Sequence, residues 1–126
     1  MLQEGGLSGL KILVVEDNYL VADVMCEALR GYGCEIVGPA PNIEQGEKLI
    51  EQCGTEAPLD GALLDVNLNG AFSFPLAAKL KACGVPWIFL TGYGEIMNMP
   101  DEFRGVRRVS KPCNIDELAE IIRADF

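Results

Sequence analysis

The 126-residue chain contains no histidine, so it cannot itself carry a phosphoryl group on an imidazole. Cysteine is present without a pattern: Cys26, Cys34, Cys53, Cys83 and Cys113 are odd in number and include no C-x-x-C pair. Neither a disulfide framework nor a zinc site is indicated. The five read as small buried or half-buried thiols in a reducing compartment. No run approaches the ~18 consecutive apolar residues that a membrane span needs. The opening MLQEGGLSGL lacks both the basic and the apolar region of a secretory signal. A cytoplasmic protein without membrane contact is therefore expected. Positive charge is also scarce, with 10 Lys and Arg against 19 Asp and Glu and a net charge of -9. Such a surface repels phosphates instead of steering them in, which argues against nucleic acid and anionic lipid as partners.

What is present suits one globular domain. Hydrophobic residues make up 49% and charged residues 23% of the chain, inside the range of sequences that fold. One domain over residues 1–126 is expected, with residues 1–9 as a flexible N-terminal extension. Four short apolar runs, LKILVV, EIVG, GALLDV and VPWIFLT, are bounded by turn residues and read as strands. Between them the apolar period changes. Leu20, Val21, Val24, Met25, Ala28 and Leu29 recur at helical spacing, with Asn18 at the N-cap position and Gly31 and Gly33 where a helix should stop. A second helix is expected from about Asn42 to Cys53, with Ile43, Gly46, Leu49 and Ile50 inward. A third runs from about Phe74 to Cys83, with Leu76, Ala77 and Leu80 inward and Pro75 in its first turn. VRRVSKP reads as a short fifth strand, and NIDELAEIIRADF as an amphipathic helix capped by Asn114. Between Gly92 and Gly105 the periodicity is weak and few apolar residues look buried, so helix 4 is expected to be short or mobile.

Alternating strands and helices imply a doubly wound α/β fold: a five-stranded parallel sheet in the flavodoxin-like order 2-1-3-4-5. Function in such sheets gathers at the carboxyl ends of the strands. Glu16 and Asp17 follow strand 1, Asp65 ends strand 3, Thr91 ends strand 4, and Lys111 follows strand 5. Three acids crowded at one edge repel each other by an amount on the order of kilocalories unless a cation sits among them. Oxygen-only ligands suit a hard ion such as Mg²⁺. An acid after a strand is, taken singly, more often a helix cap or a solvated charge; the five residues together carry the functional reading.

VVEDN, LLDVNLNG, FLTG and SKP, in this order and context, resemble the motifs of the receiver domain of two-component response regulators, from about Lys11 to the end of the chain. That resemblance implies a phosphoacceptor signalling protein instead of a conventional enzyme, able to catalyse its own phosphorylation from small donors and its own dephosphorylation. Asp65 would be the phosphoacceptor. Glu16, Asp17, Asp65 and the backbone carbonyl of Asn67 would hold Mg²⁺. Thr91 would bond the phosphoryl group, and Lys111, its bond to Pro112 cis, would pair with a phosphoryl oxygen. The implied partner is a histidine kinase or histidine phosphotransfer protein, with a downstream protein target or a role as phosphate sink. Elementary chemistry agrees: a carboxylate can attack phosphorus, and the transfer needs mainly positioning and charge neutralisation.

Departures from the pattern bear on output. Arg108 stands three residues before Lys111, where many receivers carry an aromatic switch residue, and Asn69 stands where many carry proline. PWIFLTGYGE resembles the subgroup known by its FATGUY motif, matched at Phe89, Thr91, Gly92 and Tyr93, with Leu90 replacing Ala. Tyr93 is thus a candidate switch, its alternative being a ring packed on the loop. A stand-alone receiver is the expected organisation. Two other readings remain open: a receiver-like docking module that works without phosphorylation, and an aspartyl-phosphate hydrolase. The hydrolase normally needs a second acid two residues after its nucleophile; Asn67 stands there. A nucleotide site is disfavoured because VEDN, not a glycine-rich loop, joins strand 1 to its helix.

Overall fold

A computed structural model describes residues 7–53, 58–92 and 99–126. In chain order the elements are β1 (Lys11–Val15), α1 (Tyr19–Gly31), β2 (Glu35–Ala40), α2 (Ile43–Cys53), β3 (Gly61–Asp65), β4 (Asn67–Leu68), β5 (Ala71–Phe72), α3 (Phe74–Ala82), β6 (Trp87–Thr91), β7 (Arg108–Ser110) and α4 (Ile115–Asp125). The parallel sheet runs β2-β1-β3-β6-β7, the expected 2-1-3-4-5 counted by position. β4 and β5 form a separate antiparallel hairpin after Asp65, which the strand and helix periods had not indicated.

Side chains alternate across each central strand, and the alternation builds two cores. Leu13, Val15, Ala62, Leu64 and Phe89 pack against Ile50 of α2 and Leu76, Ala77 and Leu80 of α3. Ile12, Val14, Leu63, Ile88 and Leu90 pack on the other face against Met25, Cys26 and Leu29 of α1 and Leu118, Ala119 and Ile122 of α4. With both faces covered, β3 is buried along its whole length, Asp65 included.

Several expectations need correction. On α1 the buried residues are Ala22, Met25, Cys26 and Leu29, while Leu20 and Val24 are 71% and 66% exposed. The helix carries two apolar stripes, and only the one holding Met25 and Leu29 faces the sheet. Residues 7–9 are not a flexible extension: Leu7 is fully buried in the α1/α4 core, and the Gly9 N–H donates to Gly33 O at 2.9 Å. Gly33, at φ +97°, lets the chain pass so close that a Cβ there would lie 2.9 Å from Ser8 Cα. The rest of the expected extension, residues 1–6, lies outside the described residues. Finally, residues 93–98 of the expected short or mobile helix 4 lie outside the described residues, but residues 99–105 do bury apolar side chains. Met99 and Phe103 join the α2/α3 core, and Phe103, in a single 3₁₀ turn at Asp101–Phe103, meets the rings of Phe74, Trp87 and Phe89.

All five cysteines are free, and Cys83 is exposed where a buried or half-buried thiol was expected. Burial pushes the thiols of Cys26, Cys34 and Cys113 up, which keeps them protonated. Among the described residues no helix is long and apolar enough to cross a membrane.

Candidate functional site

Because parallel strands share a direction, their carboxyl ends meet at one edge, and the loops after β1, β3, β6 and β7 converge there. Glu16 leaves β1 with its N–H bonded to Ala40 O at 3.0 Å, and its side chain turns inward to 2% exposure. Asn18 then opens α1: its N–H donates to Glu16 Oε2 at 2.9 Å, and its side chain accepts from Val21 N–H at 3.1 Å. This tight strand-to-helix turn places two successive acids at one spot.

Asp65, at the end of β3, is fully buried. Its Oδ2 accepts from Lys111 Nζ at 2.9 Å, and the same ammonium reaches Glu16 Oε1 at 3.4 Å. Lys111 arrives by pairing its own N–H with Thr91 O at 2.8 Å, and the Lys111–Pro112 bond is cis, as expected. Thr91 ends β6 at 3% exposure. The sheet therefore assembles every one of the strand-end residues. Tyr93 lies outside the described residues, and Arg108 is exposed, its guanidinium donating to Arg104 O at 3.1 Å.

Oxygens of Glu16, Asp17 and Asp65 all lie within 4.8 Å of one another. Charges at such separations repel by about 3 kcal/mol per pair at a protein-surface dielectric. Burial, and then the neighbouring Glu16 carboxyl, push Asp65 up to about 8 against the opposing pull of Lys111. Lys111 is itself raised: its burial acts downward, and the two carboxylates outweigh that. Asp65 Oδ1 is buried with no hydrogen-bond partner, which is costly for a carboxylate oxygen. Three carboxylates with one orphaned oxygen fit a hard divalent cation of the Mg²⁺ kind.

Asn67 follows as the first residue of the β4–β5 hairpin, with its side chain accepting from Gly70 N–H at 2.7 Å. This hairpin was missed, although the sequence signals it. Asn69-Gly70 sits between Leu68 and Ala71, and both turn residues take positive φ, +57° and +97°, the geometry of a two-residue hairpin loop.

Comparison with known proteins accords with this geometry. A family model described as the response regulator receiver domain matches residues 12–123. A transcriptional regulatory protein, TcrA of Mycobacterium tuberculosis, is 29% identical over 124 residues, 95% of this chain but 47% of TcrA. The chain thus spans about half the length of the curated relatives it matches. Among solved structures, SdrG from Sphingomonas melonis Fr1 is similar with a TM-score of 0.76 and 28% identity, covering 98% of this chain and 99% of SdrG. A CheY-like receiver domain protein from Methanospirillum hungatei JF-1 gives a TM-score of 0.74 and 26% identity, with 93% of each chain covered. With the family model spanning nearly all of the sheet and helices and the acid cluster at the expected strand ends, the chain belongs to the response regulator receiver domain family.

Proposed function

We propose that the protein accepts one phosphoryl group on Asp65 from the phosphohistidine of a histidine kinase or histidine phosphotransfer protein. In this reading Glu16, Asp17, Asp65 and the Asn67 backbone carbonyl hold Mg²⁺, and the phosphorylated form acts through protein contacts. The carrying observation is the state of Asp65: fully buried, one oxygen held by Lys111, the other without a partner. The unpartnered oxygen is the one free to form a bond to phosphorus. As that bond forms, the bond from phosphorus to the donor nitrogen breaks, its electron pair stays with the imidazole, and an acyl phosphate results. Mg²⁺, when bound, neutralises charge on the phosphoryl oxygens. Lys111 supplies a fixed positive charge at the same place, and the Thr91 hydroxyl is a donor for a phosphoryl oxygen. Asn67 cannot protonate a leaving group, which speaks against hydrolase chemistry of the two-acid kind.

The donor has to reach a buried oxygen, so its surface must lie on the rim of the site. α1 begins directly after Asn18 on that rim, and its first turns expose Tyr19 (77%), Leu20 (71%) and Val24 (66%). Exposed large apolar residues grouped in this way mark an interaction surface. This stripe is the proposed seat of the phosphodonor.

Incubation with Mg²⁺ and acetyl phosphate, read by intact mass, tests the reading. One phosphoryl group should appear on wild type and none on Asp65→Asn. Wild type that stays unmodified with both acetyl phosphate and its kinase, while folded and Mg²⁺-loaded, would favour a docking module that works without phosphorylation.

A further inference from the structure

We infer that the Asn67 side chain is a positioning residue: by closing the Asn69-Gly70 turn it aims its own backbone carbonyl at the acid cluster. The inference rests on the phosphoacceptor reading and concerns how this chain builds the metal side of that site.

The argument begins with backbone pairing. Val66 N–H donates to Leu90 O at 2.9 Å, so at Val66 the chain still pairs toward β6. Ser73 N–H donates to Val66 O at 2.9 Å, the single ladder bond that Val66 and Ser73 form at the base of the hairpin. Bonded and non-bonded pairs alternate along antiparallel strands. Asn67–Phe72, the next pair, is therefore non-bonded, and the N–H and C=O of Asn67 face away from β5. The chain bends at Val66 on leaving β3, and the phosphoacceptor reading takes this outward carbonyl toward Glu16 and Asp17. A backbone carbonyl left outside the hairpin ladder is free to serve as the further oxygen donor that the proposed metal site takes from Asn67.

Nothing else in the loop holds it there as directly as the side chain does. The hairpin has two residues per strand, too short to be stable alone. Its base is anchored by buried Val66 and Leu68 and by Phe72 stacked on Phe74 at 5.3 Å. Its tip is closed by Asn67 Oδ1 accepting from Gly70 N–H at 2.7 Å, as Asx side chains do in turns. Many receivers carry proline where this chain has Asn69; here a hydrogen bond replaces ring stiffness. The carboxamide oxygen is held by that bond, and in this inference the side chain acts on the site through its own backbone.

Asn67→Ala, Asn67→Asp, Gly70→Ala and the Asn67→Ala/Gly70→Ala double variant test this in the full chain. Mg²⁺ titration by calorimetry, Gly70 amide exchange and thermal melting are the readouts. Gly70→Ala probes backbone strain alone, because an added Cβ meets nothing within 4 Å while φ is +97°; it keeps the test alive if Asn67→Ala fails to fold. Each single change should weaken Mg²⁺ binding about tenfold. The double variant should be no weaker than the worse single one, since both act through one turn. Asn67→Asp keeps the acceptor oxygen and should hold Gly70 protected and bind Mg²⁺ at least as tightly as wild type. A lowered melting point with wild-type Mg²⁺ affinity in Asn67→Ala would reduce the turn to a structural feature and overturn the inference, as would Asn67→Asp binding as weakly as Asn67→Ala. Asp17→Ala in the same titration separates the two levels: if it binds like wild type the metal site itself fails, whereas a weakened Asp17→Ala beside an unchanged Asn67→Ala fails the inference alone.

Discussion

Lys111 and Asp65 stand 46 residues apart in sequence and 2.9 Å apart in space, Nζ against Oδ2. The lysine is the positive charge that makes three clustered acids tolerable, with Glu16 as its second partner at 3.4 Å. Replacing it separates binding from transfer. Lys111→Met should leave Mg²⁺ affinity undiminished, since a competing cation is removed. Phosphoryl gain from acetyl phosphate should slow about 100-fold, the usual cost of losing one charged donor at a transfer site. Time-resolved intact mass checks it, and an unchanged rate would remove Lys111 from the transfer step.

Asp65 is raised from its ordinary 3.8 to about 8, chiefly by burial. A raised acid binds more protons folded than unfolded, so its contribution to stability is present in full below the unfolded value and is lost as pH rises toward about 8. Metal-free Asp65→Asn should therefore be more stable than wild type at neutral pH by about 1 kcal/mol or more, a rise of several degrees in Tm. The advantage should shrink at pH 4 and when Mg²⁺ is added to wild type. Thermal melts across pH with and without Mg²⁺ decide this; a less stable Asp65→Asn would mean that the carboxylate pays its way through Lys111.

Asp17 is the half-buried member of the cluster, and among the described residues its side chain makes no hydrogen bond like the one by which Glu16 accepts from Asn18 N–H. Asp17→Ala should fold normally and bind Mg²⁺ at least about tenfold more weakly, ligand and charge being lost together. Calorimetric titration at fixed ionic strength measures it, and equal affinity would remove Asp17 from the site.

Phe103 is 2% exposed, and its ring meets Trp87 at 5.8 Å, Phe74 at 5.9 Å and Phe89 at 6.0 Å. Phe103→Ala should cost about 3–5 kcal/mol through lost burial and the cavity left behind. Trp87 emission should shift to the red as its packing loosens. Urea unfolding followed by that emission gives both numbers, and a loss below 1 kcal/mol would place the ring outside the cooperative core.

Leu20→Glu and Val24→Glu change exposed positions and should alter stability by no more than about 0.5 kcal/mol. A carboxylate on the apolar stripe should nonetheless slow transfer from a histidine kinase by tenfold or more while phosphorylation by acetyl phosphate proceeds as in wild type. Parallel assays with the two donors check the split, and equal kinetics with both would move the docking surface off α1.

The sequence alone determined the sheet, because both signals that specify it are local. Runs such as KILVV and GALLD alternate sides within a few residues, and Asn18 and Asn114 cap the first and last helices through bonds to N–H groups two or three residues on. It also determined which candidate residues meet at the sheet edge, since a parallel sheet brings every strand's carboxyl end to one edge wherever its crossovers run. What only the tertiary structure decided is which of two local solutions wins against distant partners. α1 has two apolar stripes of similar weight, and α4 together with the sheet selects Met25 and Leu29 for burial while Leu20 and Val24 stay outside. Leu7 and Phe103 lie in segments without periodicity and are buried by surfaces contributed by residues far along the chain. The bridge from Lys111 to Asp65 and Glu16 likewise depends on strands that are neighbours in space and not in sequence, so no local pattern could have written it.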